Sequence, residues 1–326
     1  MSARISSAGI RMDRSGLPGE VAVAWSGGAD STALLLLLMQ QGYRVQAWHV
    51  DHAWRPSSAD EAALLAARAQ QWGIEMLLAR LPAPSGINRE AEARKGRYAQ
   101  FEQWAQSTGI TTLCLGHHLD DQAETVCMRL LQGSGISGCR GMRQRRKQGP
   151  LELVRPLLQV PASVLKRALT QAGIDWLEDP SNQDMTVWRN RIRQRLFPAM
   201  ARADVSPASL FMRWQAQAER LGEQLDSEAD RILTDALTSA PESSDACMPW
   251  LIWADCSAPL RARLLQKMMA MVLGEGATPG RRHILMVEGW TLRGGFGGLD
   301  LSRCRLQRSR KHLHLRRTAA DLSASS

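Results

Sequence analysis

The sequence predicts an α/β protein, a doubly wound parallel sheet with a smaller, mostly helical C-terminal domain. Three observations predict it. Strand-like and helix-like segments alternate through the first half with short connections. The first strand runs into a glycine turn, Ser26-Gly27-Gly28-Ala29-Asp30-Ser31, which opens a helix. Beyond residue 246 a smaller, basic stretch follows, with helical segments and then short strand-like runs.

Val21–Trp25 is an apolar run of β type, and Asp30–Gln41 has the composition of a helix. Arg44–Asp51 reads as a second strand, Ala59–Trp72 as a helix and Glu75–Arg80 as a third strand. Asn88–Ser107, rich in Ala, Glu and Arg, reads as a long helix; Thr111–Gly116 is a fourth strand and Asp120–Leu131 a further helix. Such alternation implies a parallel sheet covered on both sides. Ligands bind at the carboxyl ends of such strands, where Ser26, Asp51-His52 and His117-His118 all fall.

After a glycine-rich loop, Gly133–Gly138, come Arg140, Arg143, Arg145, Arg146 and Lys147. Pro156 and Pro161 precede a helix at Ala162–Ala172, Asn190–Met200 is helical, and Pro207 marks a boundary. Leu210–Leu237 reads as an amphipathic connector and Thr238–Asp245 as a linker. Ala246–Arg317 carries two helical segments and strands near Leu299–Leu306 and His312–Arg316. The expected division is a catalytic domain over 1–205, a connector and linker over 206–245, a small basic domain over 246–318 and a disordered tail over 319–326. Trp176, Trp188 and Trp214 read as packing residues.

A length of 326 residues suggests about two domains, and 44% hydrophobic residues suffice for a core. The net charge of +9 favours a polyanionic partner, nucleic acid first, although solubility explains it as well. None of the six cysteines forms a C-x-x-C pair, so a zinc ribbon, iron–sulfur cluster or redox dithiol has no local support. Met1–Glu20 has no signal-peptide core, and Leu34–Met39 is too short to span a bilayer. The expectation is a reduced, cytosolic protein with no membrane partner.

The glycine turn is neither G-x-x-x-x-G-K-[ST] nor G-x-G-x-x-G. Strand, turn and helix N-terminus nonetheless present unpaired N–H groups to a phosphate. Ser26, Asp30 and Ser31 add oxygens for phosphate or a metal ion, or serve as helix caps. A second cluster runs from Gly116 through His117, His118, Asp120, Asp121 and Glu124 to Thr125. Its carboxylates can hold Mg²⁺ against phosphate oxygens or accept a proton from an amine. Capping accounts for one such Asp, at roughly 0.5–1 kcal/mol; two histidines and three carboxylates within eight residues exceed it.

Taken together, Ser-Gly-Gly-x-Asp-Ser at 26–31 and His-His-x-Asp-Asp-Gln-x-Glu-Thr at 117–125 resemble the tRNA(Ile)-lysidine synthetases. Further agreeing segments are His49-Val50-Asp51-His52 with Arg55, Asn88–Arg94 leading to Arg97-Tyr98, and Arg129–Gly135. Arg155-Pro156-Leu157-Leu158, Trp176–Asn182 and Arg189-Asn190-Arg191-Ile192-Arg193 agree too. The resemblance is dense over Val21–Pro198 and looser over Ala246–Arg317.

It implies a PP-loop fold of the adenine-nucleotide hydrolase kind, using ATP and Mg²⁺. The partners it implies are free L-lysine and the isoleucine tRNA with a CAU anticodon, with a homodimer admitted as an assembly. Ser26, Gly27, Gly28, Ala29, Asp30, Ser31, Asp51, His52 and Arg94 would bind ATP, with Asp30 and Asp120 near Mg²⁺. Asp30, Asp121, Glu124 and Arg97 would serve catalysis, Arg94 and Arg97 as a clamp or else as surface charges paired with Glu90 or Glu92. His117, His118, Arg140, Arg143, Arg145, Arg146, Arg189, Asn190 and Arg193 would meet substrate or tRNA. Arg140–Lys147 would form a mobile RNA-contacting loop, and Asn190 a local turn. Longer family members carry a further C-terminal domain, so the chain resembles the short form. A tRNA thiolase, an ATP-dependent amide synthetase and an inactive RNA-binding scaffold are the competing classes. Paired cysteines, the basic unit and the intact acidic cluster discriminate them.

Overall fold

The computed structural model describes residues 4–7, 9–52, 58–82, 89–238, 246–274 and 276–318. It divides into two compact units, Met1–Leu131 with Gly141–Arg213, and Gln132–Arg140 with Trp214–Ser326.

The first unit begins β1 (Glu20–Ala24), α1 (Ala29–Gln40), β2 (Arg44–Asp51), α2 (Ser58–Trp72) and β3 (Glu75–Arg80). It continues α3 (Arg89–Thr108), β4 (Thr112–Cys114) and α4 (Leu119–Leu131). After α5 (Ile136–Cys139), which belongs to the second unit, come β5 (Arg145–Gln148), β6 (Leu151–Val154) and α6 (Ala162–Gln171). A 3₁₀ turn at Pro180–Gln183, α7 (Trp188–Arg191), a π-helical turn (Ile192–Leu196) and α8 (Phe197–Arg202) follow, then the long α9 (Pro207–Thr238), which belongs to the second unit from Trp214 on.

The sheet order is β3-β2-β1-β4-β6-β5. Every neighbouring pair is parallel except β5–β6. Alternation along β1 sends Val21 and Val23 to one face, against Leu34–Leu38 of α1, Leu65 of α2 and Leu165 and Leu169 of α6. Ala22 goes to the other face with Trp48, Leu113 and Leu153, against Phe101 and Ala105 of α3. The fully buried leucines of α1, worth roughly 1.5–3 kcal/mol each, anchor that helix rigidly. Because β1 pairs with both β2 and β4, the strand order reverses there and a crevice opens beyond their carboxyl ends.

The expected mobile loop over Arg140–Lys147 is corrected. Arg145–Gln148 is an edge strand, joined to β6 by a turn at Gly149-Pro150 and paired Arg145↔Val154 through Gln148↔Leu151. Its all-polar sequence conceals a strand because an edge strand can keep charged side chains outward. β6, by contrast, is mostly buried.

The second unit holds an antiparallel sheet, ordered β7 (Ala246–Pro249), β10 (His312–Arg317), β9 (Cys304–Arg308), β8 (Gly298–Asp300). With it are α10 (Trp250–Asp255), α11 (Ala258–Leu273) and α12 (Arg281–Leu292). Runs as short as β7 and β8 show too little alternation to be read from sequence. Ala229, Ile232, Leu233 and Ala236, an i, i+3, i+4, i+7 stripe on α9, are buried in this core with Trp253, Leu264, Met268, Leu306 and Leu313. Much of the expected connector is therefore core. Asp226 of α9 takes ion pairs from Arg140 (3.1 Å) and Arg263, which ties 132–140 into the unit. Of the expected linker Thr238–Asp245, Thr238 ends α9 and residues 239–245 lie outside the described residues, as does the expected tail 319–326. Among the described residues no helix is long and apolar enough to cross a membrane.

Candidate functional site

Ser26–Ala29 closes the gap between β1 and α1. Gly27 has φ of +80°, and a Cβ there would sit 2.7 Å from Leu177 Cδ1 and 2.8 Å from Leu65 Cδ2. Gly28 is the N-cap of α1, with no side-chain cap. The first intrahelical bond is Thr32 N to Gly28 O (3.0 Å), so the preceding N–H groups have no helical acceptor, and Gly28 N reaches Ser26 Oγ instead (3.4 Å). Ser31 holds the turn from within: its Oγ accepts from Ser26 N (3.2 Å), donates to Gly28 O (3.1 Å) and lies 3.1 Å from Ser26 Oγ. A hydrogen-bonded glycine turn at the N-terminus of a buried helix has the geometry that suits an anion.

The end of β4 closes against it. A Cβ on Gly116 would lie 2.9 Å from Ser31 N and 3.1 Å from Asp30 C. Only a residue without a side chain lets the end of β4 approach the first turn of α1 this closely. The buried His118 bridges them. Its Nε2 stands 3.5 Å from Asp30 Oδ2 and 3.4 Å from Asp121 Oδ2, and its Nδ1 3.6 Å from Asp120 Oδ2. Burial works against a charge on His118, but Asp30, Asp121 and Asp120 reverse the sign and raise its pKa. Burial likewise disfavours the Asp121 carboxylate, and His118, His117 and Arg189 overcome it and hold its pKa down. His117, also burial-dominated, is pushed down to about 4.

Asp120 is partly committed elsewhere: its Oδ2 accepts Ala162 N at the start of α6 (2.8 Å). Asp30 Oδ1 is buried without a hydrogen-bond partner among the described residues. That orphaned oxygen beside the turn suits a divalent cation bound through one or two carboxylates and phosphate oxygens. Asp30 fits that role better than Asp120.

Glu124 is buried one turn along α4 and receives a guanidinium fork. Arg193 Nε donates to Oε1 (2.6 Å) and Nη2 to Oε2 (3.0 Å), while Nη2 also reaches Asp121 Oδ1 (3.3 Å). Arg189 adds an ion pair to Glu124 (3.1 Å) and donates to Thr125 Oγ1 (2.9 Å). Two short parallel bonds are the geometry of an ionised carboxylate–guanidinium pair. Arg189 and Arg193, expected at the tRNA, thus hold the acidic cluster. Asn190 is buried and donates to Ser181 O (2.9 Å) and Asp184 O (2.8 Å), fixing the turn before α7.

The remaining expected residues lie outside the cluster of Asp30, His118, Asp121 and Glu124. Asp51 ends β2, buried, with Arg80 at 3.5 Å. His52 follows it and is driven down to about 4 by burial and by Arg97. Arg94 and Arg97 lie 5.0 and 5.9 Å from the Tyr98 ring centroid. Arg145 pairs with Glu152 (2.7 Å), Arg146 with Gln148 (3.2 Å), and Arg143 is exposed. Arg55 and Asn88 are outside the described residues.

Trp188 and Trp214, expected to be packing residues, are 57% and 51% exposed. Sequence reasoning also missed His49, whose Nδ1 meets Trp25 O (2.8 Å), and Leu177, whose N donates to Gly27 O (2.9 Å). A backbone donor has no residue-type signature, and only the family-like segment Trp176–Asn182 marked it.

A glycine turn feeding a helix N-terminus, faced by an acidic strand end, defines a PP-loop nucleotide-binding protein, and residues 13–200 match the PP-loop domain family. The tRNA(Ile)-lysidine synthase of Polaromonas naphthalenivorans is 33% identical over 289 residues, covering 84% of this chain and 87% of that protein. That of Chlamydia felis is 39% identical over 178 residues, 54% of this chain and 56% of its relative. The chain belongs to the tRNA(Ile)-lysidine synthase family. Its match with the Chlamydia relatives spans little more than half of their length, 56%. The U34-tRNA thiolase of Methanococcus maripaludis shares the fold, with a TM-score of 0.53 at 17% identity over 65% of this chain and 76% of that one.

Proposed function

We propose that the chain joins free L-lysine to the 2-position of the first anticodon cytidine in the isoleucine tRNA with anticodon CAU, using ATP and Mg²⁺. The observation that carries this reading is the convergence of Asp30, Asp121 and the Arg193–Glu124 pair on the phosphate cradle. The cytidine 2-oxygen is a poor leaving group, and transfer of AMP to it, with loss of pyrophosphate, makes it a good one. The cradle of Ser26–Ser31 and the α1 N-terminus hold the pyrophosphate portion, and Asp30 holds the cation. The ε-amine of lysine, with an unperturbed pKa near 10.4, must lose a proton before it attacks the 2-carbon and displaces AMP. Asp121, ionised and partly open to the crevice, attracts the amine and takes that proton. Glu124, both of its oxygens occupied by Arg193, positions the arginine instead. The product pairs with A rather than G, changing decoding from AUG to AUA.

A thiolase reading finds less support. Burial pushes the Cys114 thiol up to about 12 and Cys304 to about 11, so neither is a ready thiolate. The test mixes the protein, Mg-ATP, labelled lysine and an unmodified CAU transcript. Lysine in the RNA with release of AMP and pyrophosphate is expected; ATP turnover without lysine in RNA overturns the reading. Asp30→Ala should abolish adenylation, and Asp121→Asn should let adenylated RNA accumulate. Undiminished adenylate in Asp30→Ala would remove Asp30 from that role.

A further inference from the structure

The segment Trp188–Leu196 presents two faces. Arg189 and Arg193 turn inward to Glu124 and Asp121. Trp188, Arg191, Ile192, Arg195 and Leu196, an i, i+3, i+4, i+7, i+8 stripe, form the adjoining face and meet Leu131 at the end of α4, with Ile192 itself buried against Val126 and Cys127. Together they line a shallow surface recess of about 340 Å³. That is at the small end of ligand-sized cavities, roughly 300–1,000 Å³, and suits one planar group better than a peptide segment. Its apolar floor is unusually open for side chains of this size: Trp188 is 57% exposed, Leu131 56% and Leu196 37%. Arg191 and Arg195 flank it, both exposed, and Arg191 Nε is steadied by Met185 O (2.6 Å).

An exposed indole between guanidiniums is the chemistry that binds an unstacked nucleobase and its phosphates. We propose that this recess takes one unpaired nucleotide of the substrate RNA next to the reacting cytidine, its base stacked on Trp188 and its phosphates met by Arg191 and Arg195. The inference rests on the proposed function and extends it to a second base of the same loop. The recess and Arg193 share one helical segment, whose full width is roughly 10–12 Å, and Arg193 in turn contacts Asp121 (3.3 Å), so the recess lies about one helix width from the acidic cluster. A π turn runs through Ile192–Leu196. Such turns are frequent at functional sites, and this one falls where the two faces must be aimed apart. The net charge of +9 is of the sign this partner requires.

The test is equilibrium binding of a labelled anticodon stem-loop with a CAU loop, intact or abasic at each loop position flanking the cytidine. Trp188→Ala is expected to weaken binding roughly five- to hundredfold, with Trp188→Phe restoring most of it and the KM for ATP unchanged. One abasic RNA should lose a similar factor on the wild-type chain and nothing more on Trp188→Ala. Arg195→Gln should lower the salt slope of binding by roughly 0.7–1. Equal binding by wild type and Trp188→Ala, or losses that multiply at every abasic position, overturns the inference. So does a Trp188→Ala chain that only changes its sedimentation, since the recess would then be a protein contact. A wild-type chain that does not bind the stem-loop overturns it too. Absent lysine transfer with the coupling intact overturns the proposed function alone.

Discussion

Gly116→Ala is a one-methyl change whose consequence follows from the packing around Gly116. The new Cβ would stand 2.9 Å from Ser31 N and 3.1 Å from both Asp30 C and Ser31 Cα. Carbon contacts are optimal at about 3.5–4.0 Å, so the overlap is about half an ångström against three backbone atoms. None can rotate away as a side chain would, and α1 behind them is fixed by the buried Leu34–Leu38. Overpacking of this kind costs about 1–3 kcal/mol, or about 2–12 °C in Tm for a unit of roughly 150–250 residues. The displaced first turn of α1 also carries the cradle, so ATP affinity should fall with stability. Gly28→Ala is the control. Its φ is −69° and its nearest new neighbour is Ser26 Oγ at 3.5 Å, ordinary contact. It should unfold like wild type yet bind ATP about tenfold more weakly, because the methyl stands where phosphate approaches the backbone. Urea midpoints and calorimetric ATP titration read both effects. A Gly116→Ala chain with wild-type midpoint and affinity, or a Gly28→Ala chain equally destabilised, refutes the reasoning.

Asp226→Ala removes the shared partner of Arg140 and Arg263, guanidiniums only 15% and 16% exposed. It should cost about 2 kcal/mol, read as a lower urea midpoint, and an unchanged midpoint would mean the pairs contribute nothing net. His49 supplies a pH dependence. Burial lowers its pKa below 6.5 despite the Trp25 carbonyl and Asp51, so the folded state prefers the neutral ring. Its contribution is complete above the unfolded value and is lost as pH falls below it. The wild-type urea midpoint should therefore drop more than that of His49→Gln from about pH 7.5 to about pH 5; parallel curves would exclude His49 as the source.

The first half of the fold was legible because its strands are apolar or alternating runs bounded by glycine, and its helices carry periodic apolar faces. β1, β2 and β3 fall within a residue of their expected limits. The β5–β6 hairpin was not legible, since Arg145–Gln148 has no apolar face and gains its partner only from β6. α9 was read as a connector because an amphipathic stripe says that one face is buried without saying against what. The acidic cluster was legible as a cluster, being contiguous in sequence. Its division of labour was not. Asp120 and Asp121 are adjacent carboxylates of one type, yet one accepts the α6 N-terminus and the other Arg193 and His118.

The sequence by itself determined that a strand–glycine–helix turn would present N–H groups to an anion, and that carboxylates would face it. Backbone conformation and local spacing act over a few residues, and the Ser26–Ser31 turn is such a local object. Only the tertiary structure decided what Arg189 and Arg193 do. As sequence they are two more cations in a basic chain, and the family resemblance placed them at substrate or tRNA. Folding brings them 65 to 69 residues back along the chain onto Glu124, whose buried charge requires a partner. The same packing turns Trp188 outward from the segment that carries them. Long-range pairing of charge and the direction a side chain faces are properties of the packed chain, which no local pattern encodes.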